Sequence, residues 1–102
     1  MLSNWLEALL IQNRIKMKVL DEAHVYEVTG GQTIKFIKRT GGELIHEGTT
    51  NEELLEVLIN RTRVLNDKFP CMENGIALSG MQTALDSFNS RTKKRVARGG
   101  RN

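Results

Sequence analysis

The lone proline of this 102-residue chain limits its fold more than any other residue. Pro70 lies inside a stretch, residues 50–98, that otherwise repeats apolar side chains at three- and four-residue intervals. Proline lacks the amide hydrogen a helix needs, clashes with the turn before it, and biases the preceding residue, Phe69, away from helical geometry. The spacing therefore predicts two helices hinged at Phe69-Pro70-Cys71. The first opens on a capping box, in which Thr50 caps and Glu53 can reach back to it. Leu54, Leu55, Leu58, Thr62 and Leu65 then fall on one face. The second begins near Glu73-Asn74, places Ala77, Leu78, Met81, Ala84, Leu85 and Phe88 at helical spacing, and stops at Gly99-Gly100. Its small residues Gly75, Ala77, Gly80 and Ala84 would permit close helix–helix approach.

Upstream the period shortens to two. His24-Val25-Tyr26-Glu27-Val28 is strand-like, Gly30-Gly31 supplies a turn, and Thr33-Ile34-Lys35-Phe36-Ile37-Lys38 alternates apolar with basic. A second diglycine, Gly41-Gly42, precedes Glu43-Leu44-Ile45-His46. Three short strands separated by two glycine turns describe an antiparallel meander. Neither diglycine is a phosphate loop, because the further glycines and the Lys-Ser/Thr at fixed spacing are missing. Residues 3–13 pattern as a short amphipathic helix, with Ser3 as cap and Trp5, Leu6, Leu9 and Leu10 clustered; a packing or oligomer-contact role fits it. Met17 offers an alternative translation start that would make residues 1–16 an accessory extension. The expected fold is α+β in a single domain over residues 1–102: an accessory N-terminal helix in 1–16, a small antiparallel sheet of about three strands in 17–48, a C-terminal two-helix hairpin in 49–98, and a tail in 99–102.

Composition narrows the function. Apolar residues make up 39% of the chain and aromatics 5%. A chain this short buries only about 60–65% of its unfolded surface, so the core is thin and self-association would complete it. Cys71 has no partner for an internal disulfide, which fits a reducing cytosol; its place after the hinge proline predicts a buried structural thiol. His24 and His46 make half a metal site at most, so no metal or other cofactor is expected. Nothing approaches the roughly 18–20 apolar residues of a membrane span, and the N-terminus lacks the features of a secretory signal. The expectation is a cytoplasmic protein. Glu52, Glu53 and Glu56 stand where acids favour a helix N-terminus, and no catalytic constellation emerges, so the chain is read as a non-enzyme.

The charge that stands out is local. From Arg91 to Asn102 there are six Lys or Arg residues and no acid. Arg91 and Arg95 are four apart and Arg98 three further on, so on a helix their guanidinium groups leave from roughly one face. Three readings compete: a solvated helix end that suits the macrodipole, a nucleic-acid backbone track using Arg91, Lys94, Arg95, Arg98 and Arg101, and a compact pocket in which Arg91 and Arg95 clamp the phosphates of a small ligand. The nucleic-acid track gains no base stacking here, since no aromatic follows Phe88.

The run Gly48 to Arg61, the hinge Leu65-Asn66-Asp67-Lys68-Phe69-Pro70-Cys71, and the spaced Glu73-Asn74, Ala84-Leu85, Arg91-Thr92, Arg95 and Arg98-Gly99 resemble the helical-hairpin nucleotide sponges of phages. These comprise the Thoeris anti-defence sponge and the related anti-CBASS sponge, and the sheet ahead of the hairpin is similar to the Thoeris type. The resemblance implies a non-catalytic protein of the host bacterial cytoplasm. It would sequester a cyclic nucleotide immune signal between subunits of a dimer to hexamer. Carried over by position, Asn74, Arg91 and Arg95 would line a pocket for glycocyclic ADP-ribose, with the arginines on its phosphates, and Arg39 would join them from the sheet. The sequence departs from the pattern at Asp86-Ser87, where the family has Met-Trp. It also departs at Met72 in place of arginine, Gly80 in place of lysine, and Val64 in place of an aromatic that stacks on adenine. These departures bear on ligand identity more than on fold.

Overall fold

The computed structural model describes residues 17–99, so the helix expected over residues 3–13 and Arg101 lie outside the described residues. The chain forms two compact units, Met1–Thr49 and Thr50–Asn102.

The first unit holds two small antiparallel sheets. Strands Lys18–Asp21 (β1), Val25–Glu27 (β2) and Thr33–Lys35 (β3) pair in the order β1-β2-β3, while Lys38–Thr40 (β4) and Glu43–His46 (β5) pair only with each other. The single sheet of about three strands is thus corrected to one of three and one of two. Two physical reasons account for it. Lys18–Asp21 adds a strand ahead of His24, and the run Thr33–Lys38 changes partners midway. Tyr26 faces Ile34 across β2 and β3, and the Phe36 amide donates to the His24 carbonyl at 2.6 Å. The Ile37 amide then donates to the Thr49 carbonyl at 2.9 Å, and the Thr49 amide to the Lys35 carbonyl at 2.8 Å. This exchange makes a parallel bridge between Phe36 and Thr49 that ends the sheet there. Both diglycines turn the chain as their sequence predicts: Gly30 and Gly31 sit at φ 84 and 77, Gly41 and Gly42 at φ 60 and 85. Two consecutive left-handed positions suit the short link of a twisted hairpin such as β4–β5.

A polar cluster ties β4 to β1. Lys38 Nζ donates to Asp21 Oδ2 at 2.8 Å, and His24 Nδ1 lies 4.0 Å from the same oxygen. The His24 and His46 rings meet edge to face at 6.4 Å. The Lys38 hydrogen bond holds the Asp21 carboxyl below the usual carboxylate range; partial desolvation opposes this, and the charges of Lys38, His24 and His46 assist it. Because the native value is the depressed one, the unfolded chain binds the proton first as pH falls. The contribution is therefore present above the unfolded value of about 4 and is lost as pH drops through the native one. Asp21→Asn is expected to remove that part of the acid dependence, so that the Tyr26 ring resonances shift less steeply with acid below about pH 5. An unchanged acid profile in the variant would show that the Lys38–Asp21 pair contributes nothing to it.

The second unit is a helical hairpin. Asn51–Lys68 (α1) starts under Thr50, whose Oγ accepts from the Glu53 amide at 3.1 Å. It ends before Pro70, and Met72–Ala97 (α2) returns alongside it. Asn66 Oδ1 accepts the Cys71 amide at 3.1 Å, fastening the hinge. The Cys71 thiol is exposed, which corrects the expected buried thiol: the hinge turns outside the helix contact rather than into it.

On α1 the covered positions are Glu52, Leu54, Leu55, Ile59, Thr62 and Asn66; on α2 they are Asn74, Leu78, Met81, Ala84, Leu85, Phe88, Thr92 and Arg95. Leaving out Leu54 and Ala84, which flank the stripe, these positions follow alternating three- and four-residue steps. Such spacing is that of a coiled-coil-like contact. Ile59, at 4% exposure, is the only buried hydrophobic among the described residues. Leu58 and Leu65, expected on the inner face, are exposed. The apolar residues of α1 fill two neighbouring stripes, and only one can face α2.

Of the small residues of α2, Ala84 is half-buried, whereas Gly75, Ala77 and Gly80 are exposed. A Cβ added at Gly75 or Gly80 would meet nothing within 4 Å. A mid-helix glycine costs about 0.5–1 kcal/mol relative to alanine, so Gly80→Ala is expected to stabilise the chain by about that amount in urea denaturation. A loss of stability instead would mean that something packs on the glycine.

Candidate ligand-binding site

The C-terminal turns of α2 concentrate the basic side chains, where cations complement the exposed carbonyls of a helix end. Lys94 and Arg95 lie in the last turn and Arg98 caps it, its amide reaching the Lys94 and Arg95 carbonyls at 3.2 and 3.1 Å. Arg91 is exposed, whereas Arg95 is half-buried on the face turned to α1. The two share a flank of the helix, with Cβ atoms about 5–6 Å apart at this spacing.

Arg95 is tied into a polar chain that crosses the hairpin. Its Nη2 donates to Thr92 Oγ1 at 3.3 Å, and Thr92 Oγ1 donates to Glu52 Oε2 at 3.0 Å. The direction follows from the chemistry. A guanidinium only donates and a carboxylate only accepts, so the hydroxyl proton goes to Glu52 and a lone pair receives Arg95. Glu52 stands in the first turn of α1, where the helix dipole favours its charge. Neither Thr92 nor Glu52 is a site residue by sequence, where Thr92 enters only with the family resemblance and Glu52 only as an acid at a helix N-terminus. The signal was available: both extend the same three- and four-residue steps that Leu55, Ile59, Leu85 and Phe88 define.

The other expected residues lie elsewhere. Asn74 is half-buried on the same face of α2 but at its hinge end. Seventeen residues separate it from Arg91, about 25 Å at the helical rise of about 1.5 Å per residue. One hairpin therefore does not bring Asn74 and the arginines onto one small molecule. Arg39 is exposed on β4 of the first unit, opposite Leu44. Val64 is exposed on α1. Among the described residues no three His, Cys, Asp or Glu side chains gather as metal ligands, and no helix is long and apolar enough to cross a membrane.

No family model and no solved structure matches the chain. A stretch of 53 residues, 51% of the chain, is 38% identical with the protein "Thoeris anti-defense 1" of Bacillus phage SBSphiJ7. That stretch covers 37% of the phage protein's own length, so the chain matches little more than a third of this relative.

Proposed function

We propose that this chain is a phage anti-defence protein that binds a cyclic nucleotide immune signal and holds it without turning it over. The likeness to a Thoeris anti-defense protein over half the chain carries this reading. The arginine pair supports it, because two forked donors one helical turn apart match the closely spaced oxygens of a diphosphate. Glycocyclic ADP-ribose is the ligand proposed first, cyclic oligonucleotides second. The length of α2 then requires that Asn74 come from one copy of the chain and Arg91 and Arg95 from another, so the pocket lies between subunits of a homo-oligomer. A thin core, with Ile59 its buried member and Val57, Leu58, Val64 and Leu65 exposed on α1, favours such association.

A second reading has its own support. Arg91, Lys93, Lys94 and Arg98 are all exposed, as a nucleic-acid backbone binder would need.

One experiment separates the two. Purified protein is incubated with a panel of cyclic nucleotides and filtered, and the retained protein is denatured so that what it releases can be identified. Intact messenger recovered only after denaturation is the expected result. An altered product would mean an enzyme. No retention, together with strongly salt-dependent binding to DNA or RNA, would sink the sponge reading.

A further inference from the structure

We infer that Thr92 is a positioning residue, its hydroxyl aiming the Arg95 guanidinium and coupling it to the Glu52 carboxylate across the hairpin. The inference rests on the proposed phosphate-binding role of Arg95 and adds two residues that act through it.

Other hydroxyls on these helices bond within their own helix. Thr62 donates to the Leu58 carbonyl at 2.7 Å, Thr83 to the Ser79 carbonyl at 3.0 Å and Ser87 to the Thr83 carbonyl at 3.0 Å. Each takes the local bond four residues back, which a helical hydroxyl finds without help. Thr92 instead donates across to α1, forty residues away in sequence, at a part-buried position. That choice leaves its lone pairs turned toward Arg95. A long arginine side chain loses considerable rotamer freedom when it is fixed on a ligand. Holding the guanidinium beforehand reduces the loss that binding would otherwise incur. Glu52 completes the device by accepting from and so polarising the hydroxyl that meets Arg95.

Thr92→Val keeps the branched shape and removes the hydroxyl, while Thr92→Ser keeps the hydroxyl, so the pair separates hydrogen bonding from packing. Titration calorimetry with glycocyclic ADP-ribose is expected to show Thr92→Ser within about threefold of the parent and Thr92→Val weakened about tenfold, the scale of one hydrogen bond to a charged group. Thr92→Val combined with Arg95→Ala should bind no worse than Arg95→Ala alone, because the hydroxyl acts only through the guanidinium. A ligand-free readout accompanies this. Rotation about the Arg95 Nε–Cζ bond, followed by NMR, should be slow in the parent and in Thr92→Ser and faster in Thr92→Val, with helicity unchanged.

If Thr92→Val binds like the parent while Arg95→Ala is weakened, positioning by Thr92 is overturned and the sponge reading stands. Unchanged Arg95 rotation in Thr92→Val overturns it without any ligand. If the parent does not bind the probe, or Arg95→Ala binds it like the parent, the sponge reading fails for that messenger and the inference fails with it.

Discussion

Arg95→Ala is expected to weaken binding of glycocyclic ADP-ribose by about 100-fold, and Arg91→Ala by a similar factor, measured by equilibrium dialysis against the parent. A hundredfold is about 2.7 kcal/mol, within the range of a charge-assisted hydrogen bond at a site shielded from water. The effect should appear as lost binding and not as lost fold. Arg91 is exposed, and alanine propagates a helix at least as well as arginine, so Arg91→Ala should stay within about 0.5 kcal/mol of the parent in stability. Arg95→Ala gives up the bond to Thr92 but leaves the Thr92–Glu52 bond in place. Arg95→Lys is informative in between. It keeps the charge and loses the planar fork, so a clamp on two oxygens should suffer nearly as much as in the alanine variant, whereas a site that needs only positive charge should not. If Arg91→Ala and Arg95→Ala both bind like the parent, the ligand does not sit on this end of α2. The remaining basic side chains, Lys93, Lys94 and Arg98, would then be solvated charge at a helix end.

How far such a site can be read from sequence depends on which interactions are local. Thr50, Glu53 and Pro70 act on their own neighbours, and the start and end of α1 follow directly from them. The diglycine turns are local in the same sense. The partner exchange at Phe36 and Ile37 is not: the apolar alternation runs through it undisturbed, and only the distant Thr49 decides that the sheet ends there. On α1 the difficulty is excess of signal. Leu54, Leu55, Val57, Leu58, Ile59, Val64 and Leu65 cover more than one stripe, so periodicity identifies a helix without choosing the face that meets α2. The steps of α2 could have decided it, since Thr92 and Arg95 continue the spacing of Leu85 and Phe88, and the residue across from them must accept a hydrogen bond. Glu52 fits that need where Leu58 or Leu65 cannot. Arginine at the far end of an otherwise apolar stripe reads as an exception to the pattern, and in the fold it is where the pattern meets the candidate site.

Gly48→Ala should be strongly damaging to the sheet unit, although Gly48 is a single glycine outside the two diglycine turns. Its backbone needs no left-handed conformation; its constraint is space. A Cβ there would lie 2.6 Å from the Ile37 nitrogen and 2.6 Å from the Lys35 oxygen, and closer still to the Phe36 carbonyl carbon. A flexible side chain could swing aside, but these are main-chain atoms, and two of them are already committed. The Ile37 amide donates to Thr49 and the Lys35 carbonyl accepts from Thr49, so moving either away from residue 48 stretches the bonds that hold Thr49 to the sheet. Overpacking costs about 1–3 kcal/mol, and a backbone hydrogen bond lost alongside it adds about 1 kcal/mol. Gly48→Ala is therefore expected to destabilise the unit by about 2–4 kcal/mol. Faster amide exchange at Ile37 and Thr49 would report this, while amides of the hairpin such as Ile59 keep their protection, since the hairpin is a compact unit of its own. Parent-like exchange at Ile37 and Thr49 would mean that the backbone relaxes around the methyl, and that the close approach at Gly48 is not what joins Thr49 to the sheet.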